Sequence, residues 1–259
     1  MANILETKNL TKFFGGIVAC NDLSFNVEEG TIKGLIGPNG AGKTTIFNLV
    51  TGVYKPTGGE ILFQGQPIGG RQPDYVVKAG ITRTFQNIRL FKNLSLLENI
   101  VIALDLKNTD YHIFGALVRG LAVRRKEKDL RRKALEFLDI VGLADRPHDR
   151  ADSLPYGLQR KLEIARALAL EPRLLLLDEP AAGMNPEESL GLADLVRKVK
   201  VQFDLTVLLI EHHMDVVMEL CDHIVVMNFG EKLAEGTPEE IQNHPAVLEA
   251  YLGEDYQRA

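Results

Sequence analysis

One stretch limits what this 259-residue chain can fold into more than any other: Gly37-Pro38-Asn39-Gly40-Ala41-Gly42-Lys43-Thr44. It fits the pattern G-x-x-x-x-G-K-[ST], which works only between a strand and a helix. Both are present: Ile32 to Ile36 is an apolar run of strand length, and Thr45 to Val50 reads as the start of a helix. Glycines let backbone N–H groups turn inward onto phosphate oxygens where a side chain would block them. The helix behind them adds a partial positive charge. Lys43 is placed to reach the β- and γ-phosphates, and Thr44 to offer a hydroxyl to Mg²⁺. The expected nucleotide contacts are Gly37, Pro38, Asn39, Gly40, Ala41, Gly42, Lys43, Thr44 and Thr45.

The rest of the composition excludes more than it adds. A net charge of −5 gives no footprint of a nucleic-acid binder. No apolar run approaches the roughly 18 residues of a membrane span, and the first residues, M-A-N-I-L-E-T-K, lack an apolar secretion segment. Cys20 and Cys221 are the only cysteines, which suits a reducing compartment and offers no metal-ligand spacing. The expectation is a cytoplasmic chain whose membrane role, if it has one, comes through a partner.

Along the chain, residues 3 to 30 read as paired strands, with Leu23, Phe25 and Val27 alternating. Phe13 and Phe14 lie just upstream of the glycine loop, where an aromatic ring can stack on a purine; taken alone, they read first as core residues. Glu60 to Gln64 and Ile81 to Phe85 read as strands, and Leu94 to Leu104 as a helix. Residues 105 to 150 change character. Leu121 to Asp139 is helical and basic (Arg124, Arg125, Lys126, Lys128, Arg131, Arg132, Lys133), a pattern that suits a solvated face or a partner or headgroup contact. Leu135, Leu138 and Val141 are expected to return this helix to a core. From 151 onward helix and strand alternate again. The fold class is α/β: a P-loop core with a mostly parallel sheet, an antiparallel β subdomain at the N-terminus and a helical subdomain inserted in the middle. The expected organisation is one domain, 1–259, with its core at about 1–90 and 170–259 and the helical part at about 91–169.

A second set of chemical residues falls at strand ends. Leu174 to Asp178 is an apolar strand that delivers a carboxylate, as a Walker-B position requires; Asp178 is placed to hold Mg²⁺ through water. Glu179 follows and can polarise an attacking water. Gln86 can touch metal and water, and His212, after Thr206 to Ile210, can contact the γ-phosphate. His112, His148, His223 and His244 have no such placement, and His213 stays open.

These motifs together resemble the ATP-binding cassette family of transporter ATPases, over essentially the whole chain. The resemblance rests on G-P-N-G-A-G-K-T, T-F-Q-N at 84–87, L-P-Y-G-L-Q-R-K-L-E-I-A-R-A-L at 154–168, L-L-L-L-D-E-P at 174–180 and L-L-I-E-H at 208–212. It implies ATP and Mg²⁺ as ligands and Glu179, His212 and Gln86 as catalytic residues. It implies Thr44, Gln86 and Asp178 at the metal, Phe14 against adenine, and Leu154, Pro155, Tyr156 and Gly157 in the signature segment. Ala182 to Asn185 becomes the D-loop. The family's mechanism then implies two cassettes paired head to tail, each signature serving the other subunit's ATP.

The signature here is Leu154-Pro155-Tyr156-Gly157-Leu158 where L-S-G-G-Q is common; Pro155 removes a hydroxyl and an N–H. Asn185 stands where Asp is usual, and His213 where Asp is common. The Tyr-Gly form, D-E-P-A-A-G-M-N-P, I-E-H and the ending G-T-P-E-E-I…V-L-E-A-Y-L-G-E are similar to the branched-chain amino-acid importer ATPases, and the long 105–133 segment to the larger of that system's two ATPase subunits. The partners implied are a second cassette ATPase in a homo- or heterodimer, two transmembrane permease subunits and, indirectly, an external substrate-binding protein. The place implied is the cytoplasmic face of the inner membrane. Two alternatives share parts of the pattern: an ATPase of a soluble iron–sulfur assembly scaffold, and a lipopolysaccharide-export ATPase.

Overall fold

A computed structural model describes residues 2–107 and 120–257. Nothing further concerns His112 or positions 108–119 of the basic segment, which lie outside the described residues. The chain divides into two compact units, residues 1–86 with 172–259, and residues 87–171.

The first unit begins with a long hairpin, β1 (Asn3–Phe14) and β2 (Ile17–Glu28). Then come β3 (Ile32–Ile36), α1 (Lys43–Val50), β4 (Gly58–Phe63), β5 (Gln66–Pro67), α2 (Pro73–Ala79) and β6 (Ile81–Arg83). Strands β1, β2, β4 and β5 form an antiparallel sheet in the order β2-β1-β4-β5. Along β2, Leu23, Phe25 and Val27 are buried while Asp22 is exposed, the alternation of a sheet with one covered face.

The second unit holds α3 (Leu96–Lys107), α4 (Gly120–Ile140) and α5 (Tyr156–Leu168). Among the described side chains of α4, Leu130, Ala134, Phe137 and Leu138 are buried. Leu135 departs from expectation: it is 39% exposed, because the apolar stripe runs through Ala134 and Phe137 and leaves residue 135 beside it. From Lys126 onward the basic residues of this face are exposed, with ion pairs Lys126–Asp105, Arg131–Glu127 and Arg132–Glu136.

The chain returns to the first unit with β7 (Leu174–Asp178), α6 (Pro186–Gln202), β8 (Thr206–Ile210), α7 (Met214–Leu220), β9 (His223–Asn228), β10 (Glu231–Gly236), α8 (Pro238–Gln242) and α9 (Pro245–Gln257). The second sheet runs β10-β9-β3-β8-β7-β6, parallel except for the edge strand β10. Strands β3, β7 and β8 are buried at every position, which explains the apolar runs at 174–177 and 207–210, while in β3 the buried Lys33 is paired with Glu235. Helix α6 starts on a capping box between Asn185 and Glu188 with Pro186 at its first position, and α8 on one between Thr237 and Glu240. Buried side chains of both sheets form one core with Ile46, Phe47, Leu49 and Val50 of α1. Each such side chain contributes roughly 1.5–3 kcal/mol by leaving water. The helix behind the glycine loop is therefore anchored from beneath.

Candidate functional site

Residues 37–44 leave β3 and enter α1. A Cβ on Gly37 would lie 2.1 Å from the Met227 carbonyl oxygen, and one on Gly42 2.2 Å from that of Ala19. Both glycines also have positive φ, 149° and 100°. The loop is thus wedged against β9 and β2 by backbone contacts that only glycine permits. Helix α1 has no side-chain cap at Gly42, so its first N–H groups open onto whatever the loop surrounds. Lys43 is buried, and its Nζ donates to the carbonyls of Gly37 at 2.6 Å and Pro38 at 2.8 Å, which curls the loop around its own ammonium.

Parallel register brings the other residues to the same end of the sheet. Asp178 pairs with Ile210 across β7 and β8, and Arg83 with Leu176 across β6 and β7. The loops after β6, β7 and β8 therefore converge beyond the carboxyl ends of the strands, where ligands of such sheets bind. Gln86 Nε2 donates to Glu179 Oε2 at 2.6 Å, and His212 Nε2 lies 2.8 Å from Glu179 Oε1. Glu179 is itself held at φ 47°, a left-handed conformation that costs a side-chain-bearing residue about 1–2 kcal/mol. Its N–H donates to the Ile210 carbonyl at 2.8 Å.

A cleft of about 370 Å³ unites these groups. Its walls are Ile17, Val18 and Ala19 of β2, residues 39–45 of the loop and α1, and Gln86, Glu179 and His212. The sequence expectations that meet here are Asn39, Gly40, Ala41, Gly42, Lys43, Thr44, Thr45, Gln86, Glu179 and His212. Gly37 and Pro38 lie behind the wall, as acceptors for Lys43. Phe14 is not among the lining residues: its ring stands edge-on to Tyr54 at 5.1 Å, with Lys12 Nζ 4.9 Å from its centroid. On this wall the apolar groups are Ile17 and Val18, 71% and 46% exposed. Neither drew attention in the sequence, where aliphatic residues in a strand pattern look like core.

Asp178 also stands apart from the cleft lining. It is buried and bound by Arg83, whose Nη2 donates to Oδ2 at 2.7 Å while Nη1 donates to Asn48 Oδ1, also at 2.7 Å. The one sequence sign of Arg83 is a cation inside the apolar strand I-T-R-T-F.

Leu154, Pro155, Tyr156 and Gly157 belong to the second unit and open α5, with Pro155 as its N-cap residue. Arg160, fully buried, donates to Glu163 at 2.7 Å and to the Tyr156 hydroxyl at 3.0 Å. Glu163 in turn accepts from the Arg89 N–H at 3.2 Å. This buried pair also passed unnoticed in the sequence, since Gln-Arg-Lys-Leu-Glu reads as ordinary helix surface.

A loop of inward amides, a lysine, and a carboxylate held between an amide and an imidazole can bind a triphosphate and activate water on its far side. Comparison with known proteins decides among such chemistries. The family profile described as "ABC transporter" matches residues 20–182, and that described as "Branched-chain amino acid ATP-binding cassette transporter" matches residues 231–257. The chain belongs to the ATP-binding cassette transporter family. The cassette is 46% identical, over 97% of its length and 98% of the relative's, to the high-affinity branched-chain amino acid transport ATP-binding protein BraF of Pseudomonas aeruginosa. Among solved structures it resembles the ADP conformation of MJ1267, an ATP-binding cassette of an ABC transporter: TM-score 0.85, 31% identity, 98% of this chain and 100% of that one. It also resembles the dimeric post-hydrolysis cassette MJ0796 bound to ADP and Pi: TM-score 0.74, 27% identity, 90% and 98% covered. The cassette is an ATPase. Among the described residues, no helix is long and apolar enough to cross a membrane.

Proposed function

We propose that this cassette is the ATP-binding subunit of a transporter that takes up branched-chain or related amino acids. The observation that carries the reading is near end-to-end identity with BraF, joined to the branched-chain profile over residues 231–257. It works against a second cassette in a head-to-tail pair, as MJ0796 forms a dimer with ADP and Pi. It sits at the cytoplasmic face of the membrane through two permease subunits, which an external binding protein supplies.

In this reading ATP lies along the cleft, its phosphates inside residues 37–45. Lys43 leaves the Gly37 and Pro38 carbonyls for the β- and γ-phosphate oxygens. Glu179 takes a proton from the attacking water while His212 and Gln86 hold its two oxygens in place. The donors around the phosphates are hard oxygens: the exposed Thr44 hydroxyl, the Gln86 amide and, through water, Asp178. That set suits Mg²⁺, which keeps several waters and shares its coordination with substrate phosphates. When bound, Mg²⁺ neutralises charge on the transferred group. The Tyr156 and Gly157 amides at the start of α5 serve the partner's γ-phosphate. Phe14 supplies the ring that stacks against adenine.

Uptake of radiolabelled leucine, isoleucine and valine in a deletion strain tests the reading. Loss of uptake, restored by the parent gene and not by Glu179→Gln, is expected. Unchanged uptake in the deletion strain would refute it.

A further inference from the structure

Glu211, between the β8 strand and His212, is a charged residue with 1% exposure in the first unit. Its two oxygens serve two different loops. Oε1 accepts from the Ala181 N–H at 2.8 Å, in the turn after β7. Oε2 accepts from the His212 N–H at 2.7 Å, the His213 N–H at 3.3 Å and the His213 Nδ1 at 3.2 Å. A carboxylate is the one side chain that accepts at both ends in a single plane. Ala181 is fully buried, so its N–H depends on this acceptor.

The turn so held is the strained one. Glu179 at φ 47° is fixed on its N-terminal side by its own N–H on Ile210 O, and Ala182 N–H closes the turn onto Glu179 O at 3.2 Å. Strained backbone persists when its surroundings over-determine it. Oε1 of Glu211 supplies the constraint two residues beyond, while Oε2 sets the backbone of the histidine that meets the Glu179 carboxylate.

We infer that Glu211 is a positioning residue for hydrolysis: it locks the Glu179–Ala181 turn to the His212 loop so that carboxylate and imidazole stay registered as the cassette turns over. Glu211 touches no substrate; its effect runs through Glu179 and His212. The inference rests on the reading of Glu179 as the base.

The test uses the full chain with Glu211→Gln and Glu211→Ala, and Glu179→Gln as control. Glutamine keeps the volume but has one acceptor oxygen, so an NH₂ group faces either Ala181 N–H or His212 N–H. Displacing a reacting group by about 1 Å costs about 10²-fold in rate. The expected result is a fall in kcat of at least about tenfold, with KM for ATP and the mant-ATP dissociation constant within about twofold of the parent. Hydrogen–deuterium exchange should quicken in the peptide that spans 178–184 and stay unchanged over 37–50. A kcat equal to the parent's, unchanged exchange at 178–184, or a joint loss of nucleotide affinity and kcat in Glu211→Gln would overturn the inference. Should Glu211→Ala fail to fold, Glu211→Gln decides. An inactive Glu179→Gln beside a normal Glu211→Gln removes Glu211 and leaves the base; an active Glu179→Gln removes both.

Discussion

Arg83 and Asp178 form an ion pair 2.7 Å long in which both side chains are more than nine-tenths buried. Removing one partner strands the other charge, which costs about 3–5 kcal/mol, whereas replacing both is often near neutral. Arg83→Met should therefore lower the urea midpoint sharply. Adding Asp178→Asn should recover much of that loss while hydrolysis stays absent. A stability loss that the double variant deepens would mean that Arg83 acts through its packing on Phe47 and Phe85 instead.

Lys43 now rests on two carbonyls of its own loop. A bound triphosphate has to draw the ammonium away from them, so the lysine gives up two charge-assisted bonds and gains stronger ones to phosphate. Lys43→Ala should weaken ATP binding by at least about tenfold, about 1.4 kcal/mol, in a fluorescence titration. AMP, which lacks the β- and γ-phosphates, should bind equally to both proteins. Undiminished ATP affinity would remove the phosphate role of this loop.

Pro155 caps α5 without a hydroxyl and without an N–H. Pro155→Ser restores both, and Ser is a strong N-cap residue worth about 0.5–2 kcal/mol over residues that cannot cap. The expected outcome is a modest rise in melting temperature and a rise in ATP turnover in the assembled complex. A higher melting temperature with unchanged turnover would show that the Tyr156 and Gly157 amides already suffice.

The two thiols give a pH prediction. Burial pushes Cys20 from 9.0 up to about 11, and burial, aided by Asp222 and Glu211, pushes Cys221 up to about 12. The unfolded chain loses these protons first, so it binds fewer protons than the native one above pH 9. Their contribution to stability is intact below pH 9 and shrinks as pH rises toward 11. A disulfide reagent at pH 8 should label neither thiol in the native protein and both in urea.

Much of this site could be read from residue order. The glycine loop, the Asp-Glu after four leucines and the His after I-E are local patterns, and local patterns survive without coordinates. Helix α6 was legible for the same reason, since Asn185-Pro186-Glu187-Glu188 carries its own capping chemistry. What escaped was pairing at long range. Nothing near Arg83 announces Asp178, and nothing near Glu211 announces Ala181; parallel register alone makes them neighbours. Phe14 adds a further case: nothing around residue 14 announces Tyr54, forty residues on, whose ring meets it in a T-shaped pair. Leu135 failed by one place on the helical wheel, a misjudgement that the buried Ala134 corrects.

The position of β3 between β8 and β9 has a consequence for how the protein is made. Ile32 pairs with Val207, and Lys33 with His223. During synthesis the strand that leads into the glycine loop has neither neighbour until the last quarter of the chain has left the ribosome. At typical elongation rates that delay is on the order of ten seconds. For that interval the backbone N–H and C=O groups of residues 32–36 have no sheet partner, the condition in which an unpaired strand on a nascent chain is exposed to wrong pairing and aggregation.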